Sequence, residues 1–320
     1  ITISETNPYD FGNVTVGATA TYSFTLNNTG AVAATAVGGS GLVSPFTFFG
    51  GSFPGTGGTC TGTINAGANC TIVVEFAPVG AGAANDIIDI NYNNGASLQT
   101  SSRSVTGTGI SPALLTVSDG PGIYDFGLIA NGGTITHPFT ITNAGASAAT
   151  AILETGLAAP FGFFGGGYPG TGGTCGASIA GGASCTIVIE YAPAAIAAHS
   201  DTINLQYNNG AAITAATRGV QGSAGAPALL TISDGLTFNY ATQAVGSSTP
   251  KTFTISNSGA VTATGLADAA ALAAPFVYVG GSYPGTAGTC GATVLAGGSC
   301  TIVIAFEPSG LGVASDTIQL

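Results

Sequence analysis

Six cysteines are the residues of this chain best placed for chemistry, and they come as three matching pairs. Cys60 and Cys70, Cys175 and Cys185, and Cys290 and Cys300 each enclose nine residues. A glycine-containing turn lies inside each loop (Asn65-Ala66-Gly67 in the first), so the two arms of a hairpin can bring the sulfurs together. A zinc site needs four ligands, usually with CxxC or histidine spacing, and thioredoxin-type redox chemistry needs CxxC. Two cysteines with no local histidine meet neither requirement. The pairs predict three disulfides, with free structural thiols as the alternative. On the chain-entropy model, closing so short a loop stabilises a domain by roughly 2–3 kcal/mol. Matched pairs also point to an oxidising compartment, which means an extracellular or cell-surface location.

The other reactive side chains form no convincing constellation. His137 and His199 have no histidine counterparts elsewhere in the chain. His199 and Asp201 would share one face of a strand, a tempting acid–base pair, but the other repeats keep the aspartate alone. A polar strand edge is the plainer reading. Glu75 and Glu190 are equivalent and become Ala305, and they stand about a domain apart. Glycosidic cleavage needs two carboxylates in one cleft. Asp86, Asp201 and Asp316 recur before an isoleucine-containing segment; calcium takes six to eight oxygens, so a hydrogen bond at a turn or strand start is expected instead. Gly165-x-Gly167-x-x-Gly170 spells a dinucleotide-binding pattern, but no helix follows it and Ser52 breaks it in the first copy. No catalytic, cofactor or metal-binding residue is therefore expected, and the chain does not read as an enzyme. The aromatics remain. Phe48-Phe49, Phe163-Phe164 and Tyr278-Val279 precede a glycine-rich loop, and Phe53, Tyr168 and Tyr283 sit beside its proline. Core packing with a turn-capping ring is the simpler account. The functional alternative is a ladder of contacts, one rung per repeat, from Phe49, Phe53, Phe164, Tyr168, Tyr278 and Tyr283.

The elements that position these residues repeat with a period of 115, the step from Cys60 to Cys175 to Cys290. Pro78, Pro193 and Pro308 keep the same step. So long a period is a whole domain rather than a solenoid turn. Boundaries near Pro112 and Pro227 give repeats over 1–112, 113–227 and 228–320. Within each, TYSFTLNN (21–28), HPFTITN (137–143) and KTFTISN (251–257) alternate as strands do. CTIVVEF, CTIVIEY and CTIVIAF, from Cys70, Cys185 and Cys300, read as central, mostly buried strands. Asn94-Gly95 and Asn209-Gly210 mark tight turns. Ala267–Ala274 has room for one helical turn, stopped by Pro275. Seven or so short strands per repeat predict an all-β chain of three tandem immunoglobulin-like β-sandwich domains in an elongated rod, about 100–130 Å long.

A family resemblance is carried by YDFGNVTVG (9–17) followed by FTLNNTG (24–30). These segments resemble the opening strands of the ASH (abnormal-spindle and Hydin) family. The paired cysteines before a valine-rich strand ending Phe-x-Pro, Cys60 to Cys70-TIVVEFAP, resemble its bacterial choice-of-anchor D repeats. The likeness runs once per repeat. The third copy departs from it where Tyr240-Ala241 replaces Phe-Gly in FNYATQAVG (238–246). It implies non-catalytic modules of large surface, secreted or scaffold proteins, with no shared active site.

Composition narrows the function. Of 320 residues, 5% are charged, against about 25% for an average soluble domain. Three basic residues (Arg103, Arg218 and Lys251) face 14 acidic ones, for a net charge of −11. Nucleic-acid binding is excluded, because counterion release needs clustered Lys and Arg. With 45% hydrophobic residues the chain is not intrinsically disordered. No run of 18 apolar residues occurs, so membrane insertion by a helix is not expected, and the opening ITIS reads as strand rather than leader. Surfaces filled by Thr, Ser, Asn, Ala and Gly lack the charges that normally keep sheet edges apart. Close packing with other copies of itself in an extracellular filament, sheath or surface fibre follows. The stalk or ligand-binding repeats of a large secreted adhesin are the alternative. Leu320 aligns with Leu205, so the third repeat is expected to lack its final strands. Continuation of the chain completes it on the favoured reading; strand complementation by a neighbouring copy completes it on the other.

Overall fold

The computed structural model describes residues 1–320 and contains no helix. The first repeat comprises β1 (Thr2–Ile3), β2 (Tyr9–Thr15), β3 (Ala20–Asn27), β4 (Ala34–Ser40), β5 (Phe46–Phe48), β6 (Thr63–Ile64), β7 (Asn69–Phe76), β8 (Gly82–Asn93) and β9 (Leu98–Ile110). The second holds β10 (Leu115–Val117), β11 (Tyr124–Ala130), β12 (Ile135–Asn143), β13 (Thr150–Glu154), β14 (Phe161–Phe163), β15 (Ser184–Tyr191), β16 (Ala198–Asn208) and β17 (Ile213–Gly225). The third holds β18 (Leu230–Ile232), β19 (Thr249–Asn257), β20 (Ala263–Thr264), β21 (Phe276–Tyr278), β22 (Thr293–Val294) and β23 (Ser299–Phe306). Ala267–Ala274 forms bends, loop and a turn; the alanine-rich run is too short to nucleate a helix and Pro275 ends it.

Two sheets face each other in each complete repeat, ordered β1-β3-β7-β5 and β2-β9-β8-β4-β6 in the first, and β10-β12-β15-β14 and β11-β17-β16-β13 in the second. The cores follow from strand periodicity. Side chains alternate between faces, so Ile72, Val74 and Phe76 of β7 are fully buried, as are Ile187, Ile189 and Tyr191 of β15. Phe24 and Leu26 of β3, and Phe139 and Ile141 of β12, meet them from the adjacent strand. Separate apolar clusters fill the three repeats, with Phe253, Ile255, Ile302 and Ile304 central to the third. This is the layered, two-sheet arrangement of an immunoglobulin-like sandwich.

In the first two repeats the chain switches sheets after its opening strand. β1 and β10 pair antiparallel with β3 and β12, and the chain then crosses so that β2 and β11 run parallel to β9 and β17. A bulge interrupts each parallel strand after Asp10 or Asp125, where the carboxylate accepts a hydrogen bond from Gly12 N (2.9 Å) or Gly127 N (2.7 Å). Both glycines are left-handed, at φ +73° and +78°. The Asp-Phe-Gly of YDFG is thus a bulge signature. In the third repeat Asn239 Oδ1 accepts from Ala241 N at 2.8 Å, and Ala241 adopts φ +58°. The third repeat has no counterpart of the β8–β9 or β16–β17 hairpin. Its 238–244 segment, equivalent to β2 and β11, has no strand pairing, and its second sheet is reduced to β20 and β22.

Candidate functional site

The sulfurs of Cys60 and Cys70, Cys175 and Cys185, and Cys290 and Cys300 are bonded, with Cα atoms 4.8, 4.9 and 4.8 Å apart. The enclosed loops are more than the plain hairpins that the spacing suggests. Thr59 N and Cys60 N both donate to Thr71 O, which brings the loop alongside β7. The loop then crosses to the opposite sheet, where Ile64 pairs with Ala34 and enters the core. Ile179 beside Ala149 and Val294 beside Ala263 repeat this crossing. Each disulfide therefore closes a loop that staples the two sheets together. Facing threonine hydroxyls flank it, Thr59–Thr71 at 3.1 Å, Thr174–Thr186 at 3.1 Å and Thr289–Thr301 at 3.2 Å.

The recurring aspartates act on the backbone. Asp86, Asp201 and Asp316 accept from Val43 N, Ala158 N and Ala273 N at 2.7, 2.8 and 2.6 Å, and each also accepts from the residue after it. His199 does not engage Asp201; its Nδ1 lies 2.9 Å from Tyr191 Oη. Glu75 and Glu190 belong to different sandwiches, opposite Thr21 and Thr136. His137 takes part in a repeated arrangement at the sheet switch. Glu5, Asp119 and Asp234 each adopt positive φ there. Facing them across the strand are Tyr22, His137 and Lys251. His137 Nε2 is 3.2 Å from Asp119, and Lys251 Nζ is 2.7 Å from Asp234. Each partner also meets an aromatic residue: Tyr22 stacks on Tyr9 at 4.2 Å, His137 on Tyr124 at 4.1 Å, and Lys251 sits 4.5 Å above the Phe238 ring. A hydrogen bond from Ser118, then the one to His137, holds the Asp119 carboxyl below the usual range. Arg103 and Arg218 brace the same crossover by donating to Ile3 O and Asp119 O. All three basic residues are thus committed to this one structural position.

The candidate contact aromatics divide. Phe49 and Phe164 are 37% and 38% exposed. Phe53, Tyr168 and Tyr283 are half-buried, set edge-to-face against Phe48, Phe163 and Tyr278 at 5.7, 5.5 and 5.6 Å. Tyr278 departs from the expected ladder. It is 5% exposed, because it is the counterpart of the inward Phe48 and Phe163, while the outward position in that repeat is Val279.

Sequence reasoning missed three buried asparagines. Asn28, Asn143 and Asn257 lie at the ends of β3, β12 and β19. The Asn143 amide donates to Ser147 O, Ile179 O and Ala180 O, and its Oδ1 accepts from Leu114 N and Gly145 N. Asn28 and Asn257 make the equivalent bonds to Ile64 O and Val294 O. One side chain thereby ties the strand end, the following turn and the cysteine loop. The signal was the repeated Asn-x-Gly of NTG, NAG and NSG after each FT strand.

Three cores between paired or partly paired sheets define a chain of tandem immunoglobulin-like β-sandwich domains, and no helix in it is long and apolar enough to cross a membrane. Residues 4–107 match the family model described as HYDIN/CFA65/VesB-like, Ig-like domain. No curated protein matches the chain. Among solved structures it is similar to the Vibrio cholerae VesB protease, with 19% identity over 35% of this chain and 32% of that one, at a TM-score of 0.28. The human CEP192 ASH/PapD-like domain 7 is 17% identical over 34% of this chain and 84% of that one, at 0.25. The I-band fragment I67–I69 of titin is 10% identical over 96% of this chain and 89% of that one, at 0.33.

Proposed function

We propose that this chain is a non-catalytic structural segment of an extracellular filament, sheath or surface fibre, with domain boundaries near Pro112 and Pro227 and repeats of the choice-of-anchor D type. The observation that carries this reading is the way one repeat seats on the next. Thr15 Oγ1 of the first repeat lies 2.7 Å from Ser147 Oγ of the second, and Gly225 at the end of the second approaches Ala260 and Val261 of the third. Ser147 and Val261 are equivalent positions, so both junctions use the same face. Small residues at these contacts and few charges elsewhere favour the same close packing between copies. The three disulfides favour an oxidising, extracellular setting. Sedimentation velocity over a concentration series tests the reading: growth into large species supports self-assembly, and an invariant monomer argues against it.

The alternative of a ligand-binding stalk is favoured by the outward Phe49 and Phe164, which recur at the same position on successive repeats.

A further inference from the structure

A cleft of about 390 Å³ opens in the second repeat between β13, β14 and the glycine-rich loop, lined in part by Glu154, Leu157, Phe163, Gly167 and Tyr168. That volume falls within the ~300–1,000 Å³ of small-molecule sites. The backbone ladder fixes its counterparts. Val37 N, Ile152 N and Leu266 N donate to Gly62 O, Ala177 O and Ala292 O, so the residue two positions on is Gly39, Glu154 or Asp268. In the first repeat the place is filled: a Cβ on Gly39 would collide with the Phe48 and Phe53 rings. The other two repeats carry a carboxylate there beside an aromatic pair. In the third, Asp268, Tyr278 and Tyr283 lie against one another with Asp268 Oδ1 and both hydroxyls shut off from solvent, and Tyr278 is 5% exposed.

We propose that this cleft of the second repeat binds a neutral sugar residue, with Glu154, Phe163 and Tyr168 as the contacts. The chemistry selects that class. Glu154 Oε1 accepts from Leu157 N, leaving Oε2 to accept from ligand hydroxyls. Tyr168 Oη donates to Gly176 O, which fixes its ring against Phe163 and presents an apolar surface to the C–H face of a pyranose. An anionic ligand would find a carboxylate and no cation, since Arg103, Arg218 and Lys251 are all held at the sheet switches. A calcium ion takes six to eight oxygens, and the cleft offers one carboxylate, Glu154. An apolar ligand would strand that carboxylate without hydrogen-bond donors. The proposal holds whether or not the chain assembles into a fibre.

Saturation-transfer NMR on the full 320-residue chain tests it, using methyl glycosides of glucose, galactose, mannose and N-acetylglucosamine, with glucuronate and calcium chloride as controls. At least one neutral glycoside should show saturable transfer. Glu154→Gln keeps the acceptor for Leu157 N but removes the charge, and it should weaken binding by about tenfold or more, the loss of one charge-assisted hydrogen bond, with circular dichroism unchanged. Absence of transfer from every neutral glycoside, binding of glucuronate or calcium alone, or full binding by the Glu154→Gln variant would overturn the proposal.

Discussion

Thr15 and Ser147, 132 residues apart, share a 2.7 Å hydrogen bond between their hydroxyls, and this bond joins the first repeat to the second. Beside it Gly210 approaches Thr15 so closely that a Cβ would not fit. Ser147 corresponds to Val32 in the first repeat, which is 56% exposed. Thr15→Tyr should therefore splay the junction. Small-angle scattering should show a broadened distance distribution while each repeat's stability changes by less than about 0.5 kcal/mol, as for other surface changes. An unchanged scattering profile would mean that the junction does not depend on Thr15.

Ala241 is held at φ +58° where the other repeats use glycine. The left-handed conformation costs a non-glycine residue about 1–2 kcal/mol. Ala241→Gly is expected to stabilise the third repeat by about 1 kcal/mol in denaturant unfolding, and a loss of stability would contradict the bulge geometry.

Asn143 is buried, with its amide donating to three carbonyls and its oxygen accepting from two amides. Asn143→Ala would leave those backbone groups without partners, at a cost of about 3 kcal/mol. Calorimetry should show a lowered transition for the second repeat only, and an unshifted thermogram would show that water replaces the side chain at no cost.

The pH dependence follows from groups at the sheet switches and cores. Hydrogen bonds lower the Asp119 carboxyl (first from Ser118), the Asp125 carboxyl (first from Gly127 N) and the Asp234 carboxyl (first from Lys251). Their stabilisation is complete above the unfolded carboxylate range and is lost as pH falls below about 4. In the opposite direction, burial pushes Tyr240 up to about 12. Its contribution is full below about pH 10 and fades as pH rises through the folded value. Urea midpoints should therefore plateau near neutrality and decline on both sides. His137→Gln should raise the Asp119 carboxyl toward its ordinary value, so the second repeat loses stability near neutrality and its acid limb becomes shallower; an unchanged limb would remove His137 from the account.

Much of the fold was legible because strand patterning is local. The alternation in HPFTITN and CTIVIEY places Phe139, Ile141, Ile187 and Ile189 on the core side before any partner strand is known. The Asn143 network was not legible, because its partners Ile179 and Ala180 reach it only after the cysteine loop crosses between sheets. Tyr278 was misplaced for a related reason: adjacent strand residues look alike in sequence, and a one-residue shift exchanges faces. Glu154 and Asp268 escaped notice because the repeat slips by one residue between them, so a fixed period of 115 does not align the two.

Immunogold microscopy of the native source cells, with an antibody raised against this chain, tests the central claim most directly. The structural reading predicts gold along extracellular fibres or a sheath, spaced as a repeating component would be. Gold confined to the cell interior, or scattered on isolated particles with no fibre, would contradict it.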